Sequence, residues 1–177
     1  MSKIEPKNVK EALTDESWIE AMQEELNQFK RSEVWDLVPR PEGMNVIGTK
    51  WIYQNKSDEN GTVTSNKARL VAQGYNQIEG RDFDENFAPV ARLESIRLVL
   101  GVSCILKFKL FQMDVKSAFL NWYLNAEVYV EQPKGFIDPS FANHVYILKK
   151  ALYGLKEAPK ACYERLTQFL VDQWYKK

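Results

Sequence analysis

The chain has 177 residues and equal numbers, 24 each, of basic and acidic side chains, which leaves no formal net charge at neutral pH. That length suits one folded unit with a substantial core, and the charge balance excludes the strongly basic footprint of a dedicated nucleic-acid-binding domain, so any polyanion site must come from local segregation of charge. No apolar run approaches the roughly 18 residues of a membrane span, and the polar start lacks a signal-peptide core, so a soluble chain that is not secreted is expected.

Residues 1–14 are polar and mixed in charge, and are expected to be flexible. A helix is expected to open at Ser17, whose spacing to Glu20 fits a capping box, with Trp18, Met22, Leu26 and Phe29 on one face and Glu20, Glu24 and Glu25 between them. Short β-like runs at 34–38 and 46–54, the turn signal SDENG and a return run at 62–71 predict a hairpin. It carries Lys50, Lys56, Lys67 and Arg69.

After a loop at 73–86 marked by glycine and acid, Leu93–Leu106 is apolar at helical spacing and reads as a buried helix. The run at 111–115 then reads as a strand with Asp114 near its carboxyl end, followed at 117–120 by the start of a short helix. A buried carboxylate without a partner is costly. Asp114 therefore needs either the backbone of the following turn, as a helix cap, or a divalent cation, and this stretch alone favours the cap.

Further strands are expected at 127–131 and 145–148, separated by a loop marked by Pro133, Gly135 and Pro139. A last helix opens at Pro159 and aligns Leu166, Phe169 and Leu170 on one face as far as Trp174. Cys104 and Cys162, far apart in apolar or helical surroundings, read as buried thiols of a reducing compartment. His144 is the single histidine, so neither a histidine triad nor a zinc cluster is available. The order of elements is α+β.

Taken together, KARLVAQGYNQIEGRDFDENFAPVARLESIRLVL, FQMDVKSAFLN, EVYVEQPKGF and LKKALYGLKEAPKACYERL resemble the reverse transcriptase of copia-type retrotransposons, plant elements above all. The resemblance runs from about residue 12 to 177. It implies a right-hand polymerase fold, with 15–177 forming the fingers and part of the palm, an antiparallel sheet backed by helices and incomplete. It also implies synthesis of DNA on an RNA template and DNA primer from deoxynucleotides, with Mg2+ as cofactor in a two-metal phosphoryl transfer.

On this resemblance Asp114 is the first catalytic, metal-binding acid and the carbonyl of Val115 a lesser ligand. Phe119 is the aromatic residue beneath the incoming sugar, where a ring leaves no room for a 2′-hydroxyl. Lys67 and Arg69 are nucleotide-binding, because cations on a ribbon can grip a triphosphate. Glu157, also assigned to the nucleotide, stands where the family usually has glutamine, and places an anion beside triphosphate. Trp122 replaces a family glycine, Cys162 a tryptophan and Trp174 a glycine. A tryptophan at position 122 is expected to strain the backbone.

The family's second catalytic element, a Tyr-Val-Asp-Asp hairpin, is absent from the 177 residues, and is expected beyond Lys177. The sequence thus reads as a fragment of a retrotransposon Pol polyprotein, inactive alone, that associates with the missing palm segment or with itself. Its expected setting is a cytoplasmic retroelement particle or the nucleus. The rival readings are a non-catalytic nucleic-acid-binding or interaction protein derived from such a remnant and, more weakly, a different magnesium-dependent phosphotransferase.

Overall fold

A computed structural model describes residues 1–84, 88–112, 114–115 and 117–173. One short helix of the leading segment precedes the main helix: Asn8 caps α1 (Val9–Ala12), and Ala12 lies wholly in the core. The segment read as flexible also makes specific bonds. Ser2 N donates to Asn66 Oδ1 at 2.9 Å, Asn66 Nδ2 donates to the Ser2 carbonyl at 2.7 Å, and Trp18 Nε1 donates to the Ile4 carbonyl at 3.0 Å.

The main helix, α2 (Glu16–Arg31), is capped by Asp15, whose side chain accepts from Ser17 N, and not by Ser17 as the capping-box spacing suggests. An aspartate one turn ahead of the apolar stripe does the same work with a charged acceptor at the positive end of the helix. The apolar stripe is as expected: Trp18, Met22 and Phe29 are fully buried.

Among the described residues, six strands follow in two sheets. β1 (Trp35–Pro39), β2 (Val46–Ile47), β5 (Tyr123–Val130) and β6 (His144–Lys150) make one sheet in the order β1-β6-β5-β2, and β3 (Thr49–Ser57) pairs with β4 (Val63–Ala72) in the other. The first sheet is antiparallel except for the two-residue β2–β5 pair, which is parallel. The hairpin lies where the sequence places it, and its alternation is clean. Trp51, Ala68 and Leu70 turn inward onto α2, while Lys50, Ile52, Gln54 and Lys56 face out. One continuous core joins α2, the hairpin and the inner residues Ile47, Val128, Val130 and Leu148 of the first sheet.

Four expectations do not hold. The described residues of 111–115 are not a strand, and Phe111 is 82% exposed. Nothing among the described residues pairs with that run, and an apolar β-former needs a ladder partner to become a strand. α3 (Leu93–Leu106) is a helix as read but buries no residue, and Cys104 is exposed with it. Cys162, on α4 (Ala158–Asp172), is only partly covered. Trp122 has φ −113° and ψ 123°, an ordinary extended backbone, so it carries no strain. Trp174 lies outside the described residues.

On α4, Leu166, Phe169 and Leu170 are exposed, as are Leu98, Leu100 and Ile105 on α3. Among the described residues, no helix is long and apolar enough to cross a membrane. These helices therefore offer apolar surface to other molecules. The purified chain is expected to bind a hydrophobic dye strongly and to aggregate on concentration. A monodisperse, dye-silent monomer with slow amide exchange along α3 would contradict this.

Candidate functional site

The pairing register assembles the basic residues. Opposite Ile52 stands Arg69, opposite Gln54 Lys67, and opposite Lys50 Val71, so Lys50, Lys56, Lys67 and Arg69 share the outer face of the hairpin. Four cations on one face of two strands make the local charge segregation that the neutral composition conceals. Glu25 of α2 approaches from the other side, accepting from Leu70 N at 3.4 Å. Burial pushes its carboxyl above the usual range, opposed by that amide and by the attraction of Lys67 and Arg69.

The segment after β6 is fixed against the end of β4. Ala72 N donates to the Tyr153 carbonyl at 2.7 Å, and Gly154 has φ +91°. A Cβ on Gly154 would stand 2.2 Å from the Ala72 carbonyl oxygen, and one on Gly74 2.1 Å from that of Gly154. Only glycine at both places lets the two backbones approach. This contact sets Tyr153 beneath the hairpin, with the Arg69 guanidinium 5.6 Å from its ring centroid. Phe119, in the 3-10 turn Ala118–Asn121, meets the same ring edge-on at 4.9 Å and 83°.

Asp114 is exposed in coil just before that turn. The turn begins at Ser117, with φ +51°, and the Ser117 side chain makes no capping bond among the described residues. Tyr153 senses the surrounding charges: burial first raises its phenol, Arg69 lowers it, and Glu25, Asp114 and Cys162 raise it further. The structure thus sets Arg69 and Phe119 against one ring, beside the cationic face that carries Lys67, and the charge of Asp114 acts on the same ring. Val115 is exposed next to Asp114.

Glu157 is placed differently. Its Oε2 accepts from Gln77 Nε2 at 2.8 Å, while Gln77 Oε1 accepts from Lys156 N at 2.8 Å. Its Oε1 is buried without a hydrogen-bond partner among the described residues. Burial raises its carboxyl above the ordinary range, against the lowering effect of Gln77, its own backbone amide and Lys156, while Asp82 adds to the rise. An acid whose folded-state affinity for a proton is raised stabilises the fold below its unfolded value, and that contribution is lost as pH rises through the folded value. Glu157 and Glu25 both act in this sense. Thermal melts from pH 4 to 8 are therefore expected to fall more steeply for the unsubstituted chain than for Glu157→Gln, which keeps the bond to Gln77 without the charge. Parallel profiles would contradict the placement of Glu157.

A family model described as reverse transcriptase (RNA-dependent DNA polymerase) matches residues 32–177. The chain belongs to this reverse transcriptase family. It is 45% identical over 168 residues to the retrovirus-related Pol polyprotein from transposon RE1 of Arabidopsis thaliana, covering 94% of the chain and 12% of that protein. The Pol polyprotein from transposon TNT 1-94 of Nicotiana tabacum is 39% identical over 98% of the chain and 13% of its own length. Mitochondrial protein AtMg00820 of Arabidopsis thaliana is 46% identical over 57% of the chain and 59% of its own length. The chain thus spans about an eighth of the length of the plant Pol polyproteins it matches. No solved structure matches it. The copia-type resemblance read from the motifs agrees with these relatives.

Sequence reasoning missed Tyr153, Gln77 and Glu25 in this reverse transcriptase chain. The first two lie inside the quoted family blocks, but nothing in a string of residues tells that the ring of one meets Arg69 and Phe119. Glu25 looked like one of several solvent-facing acids of α2, and only the depth of the hairpin edge distinguishes it.

Proposed function

We propose that this chain supplies the nucleotide-facing part of an RNA-directed DNA polymerase, with the β3–β4 hairpin as fingers and the β5–β6 sheet with Asp114 and α4 as part of the palm. The observation that carries the reading is the common outward face of Lys50, Lys56, Lys67 and Arg69. Arg69 and Lys67 grip the triphosphate of a deoxynucleotide, since guanidinium and ammonium groups meet phosphate oxygens with charge-assisted bonds. Phe119 sits under the sugar and excludes a 2′-hydroxyl.

Asp114 and the Val115 carbonyl are hard oxygen donors of the kind that magnesium takes. Among the described residues no group of three potential ligands gathers, so a metal would be held there only with further ligands from outside them. When bound, it would polarise the primer hydroxyl and the leaving phosphate. Template RNA and primer DNA lie along the same cationic face, held through phosphates and therefore without regard to base sequence. Glu157 stays tied to Gln77, and its burial raises its carboxyl.

The test is fluorescence anisotropy of a primed RNA oligonucleotide over a range of salt. Binding is expected to be weak, indifferent to sequence and steeply reduced by salt, and Lys67→Ala with Arg69→Ala to lower the salt slope by about 2. Sequence-specific binding that survives the double substitution would contradict the proposal.

A further inference from the structure

Resting on the nucleotide-site reading above, the geometry points to Tyr153 as the positioning residue that fixes Arg69 relative to Phe119 and thereby links triphosphate grip to sugar discrimination. Its ring has two occupants. The Arg69 guanidinium lies 5.6 Å from the centroid, within cation–π range, and Phe119 meets the ring in a T-shaped contact with centroids 4.9 Å apart. The two contacts come from separate parts of the chain, β4 and the turn Ala118–Asn121.

The ring itself has little freedom. Its backbone carbonyl is bonded to Ala72 N at 2.7 Å, three residues beyond Arg69 on the same strand, and the following Gly154 is pressed against Ala72 and Val71. The tyrosine is thus referenced to β4 twice, through its main chain and through its face. It carries that reference across to Phe119. A guanidinium left on a mobile side chain would still attract phosphate, but at no fixed distance from the sugar-facing ring. Tyr153 acts through Arg69 and Phe119, the two side chains that its ring contacts.

The chemical requirement is a π face of the right size. The hydroxyl is dispensable to both contacts, which separates this role from proton transfer or hydrogen bonding by the phenol. Leucine fills the space but offers no quadrupole to Arg69 and no ring face to Phe119.

The experiment titrates the 177-residue chain with deoxyuridine triphosphate and with uridine triphosphate by calorimetry in magnesium buffer, for the unsubstituted chain, Tyr153→Phe and Tyr153→Leu, with a thermal melt of each. Tyr153→Phe is expected to keep both affinities and their ratio. Tyr153→Leu should weaken deoxyuridine triphosphate by roughly 5-fold and bring the two affinities together, at a melting temperature close to that of Tyr153→Phe. Arg69→Ala should abolish the difference between tyrosine and leucine at 153. Tyr153→Leu with unchanged affinities and ratio overturns the inference while leaving the nucleotide site standing. No saturable binding by the unsubstituted chain overturns the nucleotide site and this inference with it.

Discussion

Gly154→Ala is expected to lower stability by about 3 kcal/mol or more, a large part of the 5 to 15 kcal/mol that holds a typical domain. Two costs combine there. Its φ of +91° is unfavourable for any residue with a Cβ, and that Cβ would stand 2.2 Å from the Ala72 carbonyl oxygen and 2.5 Å from Val71 Cγ1. Gly61 supplies the comparison: its φ is +79°, but nothing lies within 4 Å of a Cβ built on it. Gly61→Ala should therefore show the conformational cost alone, about 1 kcal/mol. For a chain of this size the two variants should differ in melting temperature by several degrees, at 2 to 4 °C per kcal/mol. Equal melting temperatures would mean that the β4 end and the Tyr153 loop do not approach as described.

The consequence of Gly154→Ala reaches beyond stability, because the same contact holds Tyr153 under Arg69 and leads into the Gln77–Glu157 bond. Nucleotide affinity should fall together with stability in that variant. In Gly61→Ala it should not.

The largest effect on activity is expected from Asp114→Asn. The chain spans about an eighth of its Pol relatives, so the substitution is best made in a hybrid in which this segment replaces the matching part of a longer relative that extends primers. There, loss of the carboxylate proposed to hold magnesium should reduce incorporation by at least about a thousandfold, while Phe119→Ala should retain synthesis and admit ribonucleotides. Asp114 is exposed and stands in coil, so the asparagine variant should melt with the parent. Incorporation by Asp114→Asn within tenfold of the parent would remove Asp114 from the chemistry.

Much of the fold was legible because it is local. The α2 stripe, the SDENG turn with its two strands, and the bounds of Leu93–Leu106 follow from periodicity and turn chemistry, which need no knowledge of distant residues. What failed was burial and pairing. The apolar composition of α3 and of 111–115 implied a cover and a ladder that the described residues do not provide, and composition alone cannot tell a buried apolar segment from one awaiting a partner. Trp122 shows the converse error. A glycine in relatives suggested a positive φ, but the backbone at this position is extended and accepts a side chain readily.

The candidate site divides in the same way. Its cationic face could be inferred from alternation once the hairpin was placed, since Lys67 and Arg69 are two apart and so share a side. Its closure by Tyr153 could not, because it depends on the mutual approach of Ala72 and Gly154, 82 residues apart, through glycines whose role only their surroundings reveal. Glu157 read as an anion beside triphosphate. Its burial, which a string of residues does not reveal, raises its carboxyl, while the bond from Gln77 and the charge of Lys156 oppose that rise.

The central claim is that the outer face of the hairpin and the residues around Phe119 form one nucleotide site. The most direct measurement is photo-crosslinking of a deoxyuridine triphosphate bearing a photoreactive base, followed by mass spectrometry of the adducts. The account predicts adducts on β3, β4 and residues 114–119, competed by unlabelled deoxynucleotide and lost with Lys67→Ala and Arg69→Ala together. Adducts confined to the groove between α2 and β1, or to the exposed face of α4, with the hairpin unlabelled, would contradict it.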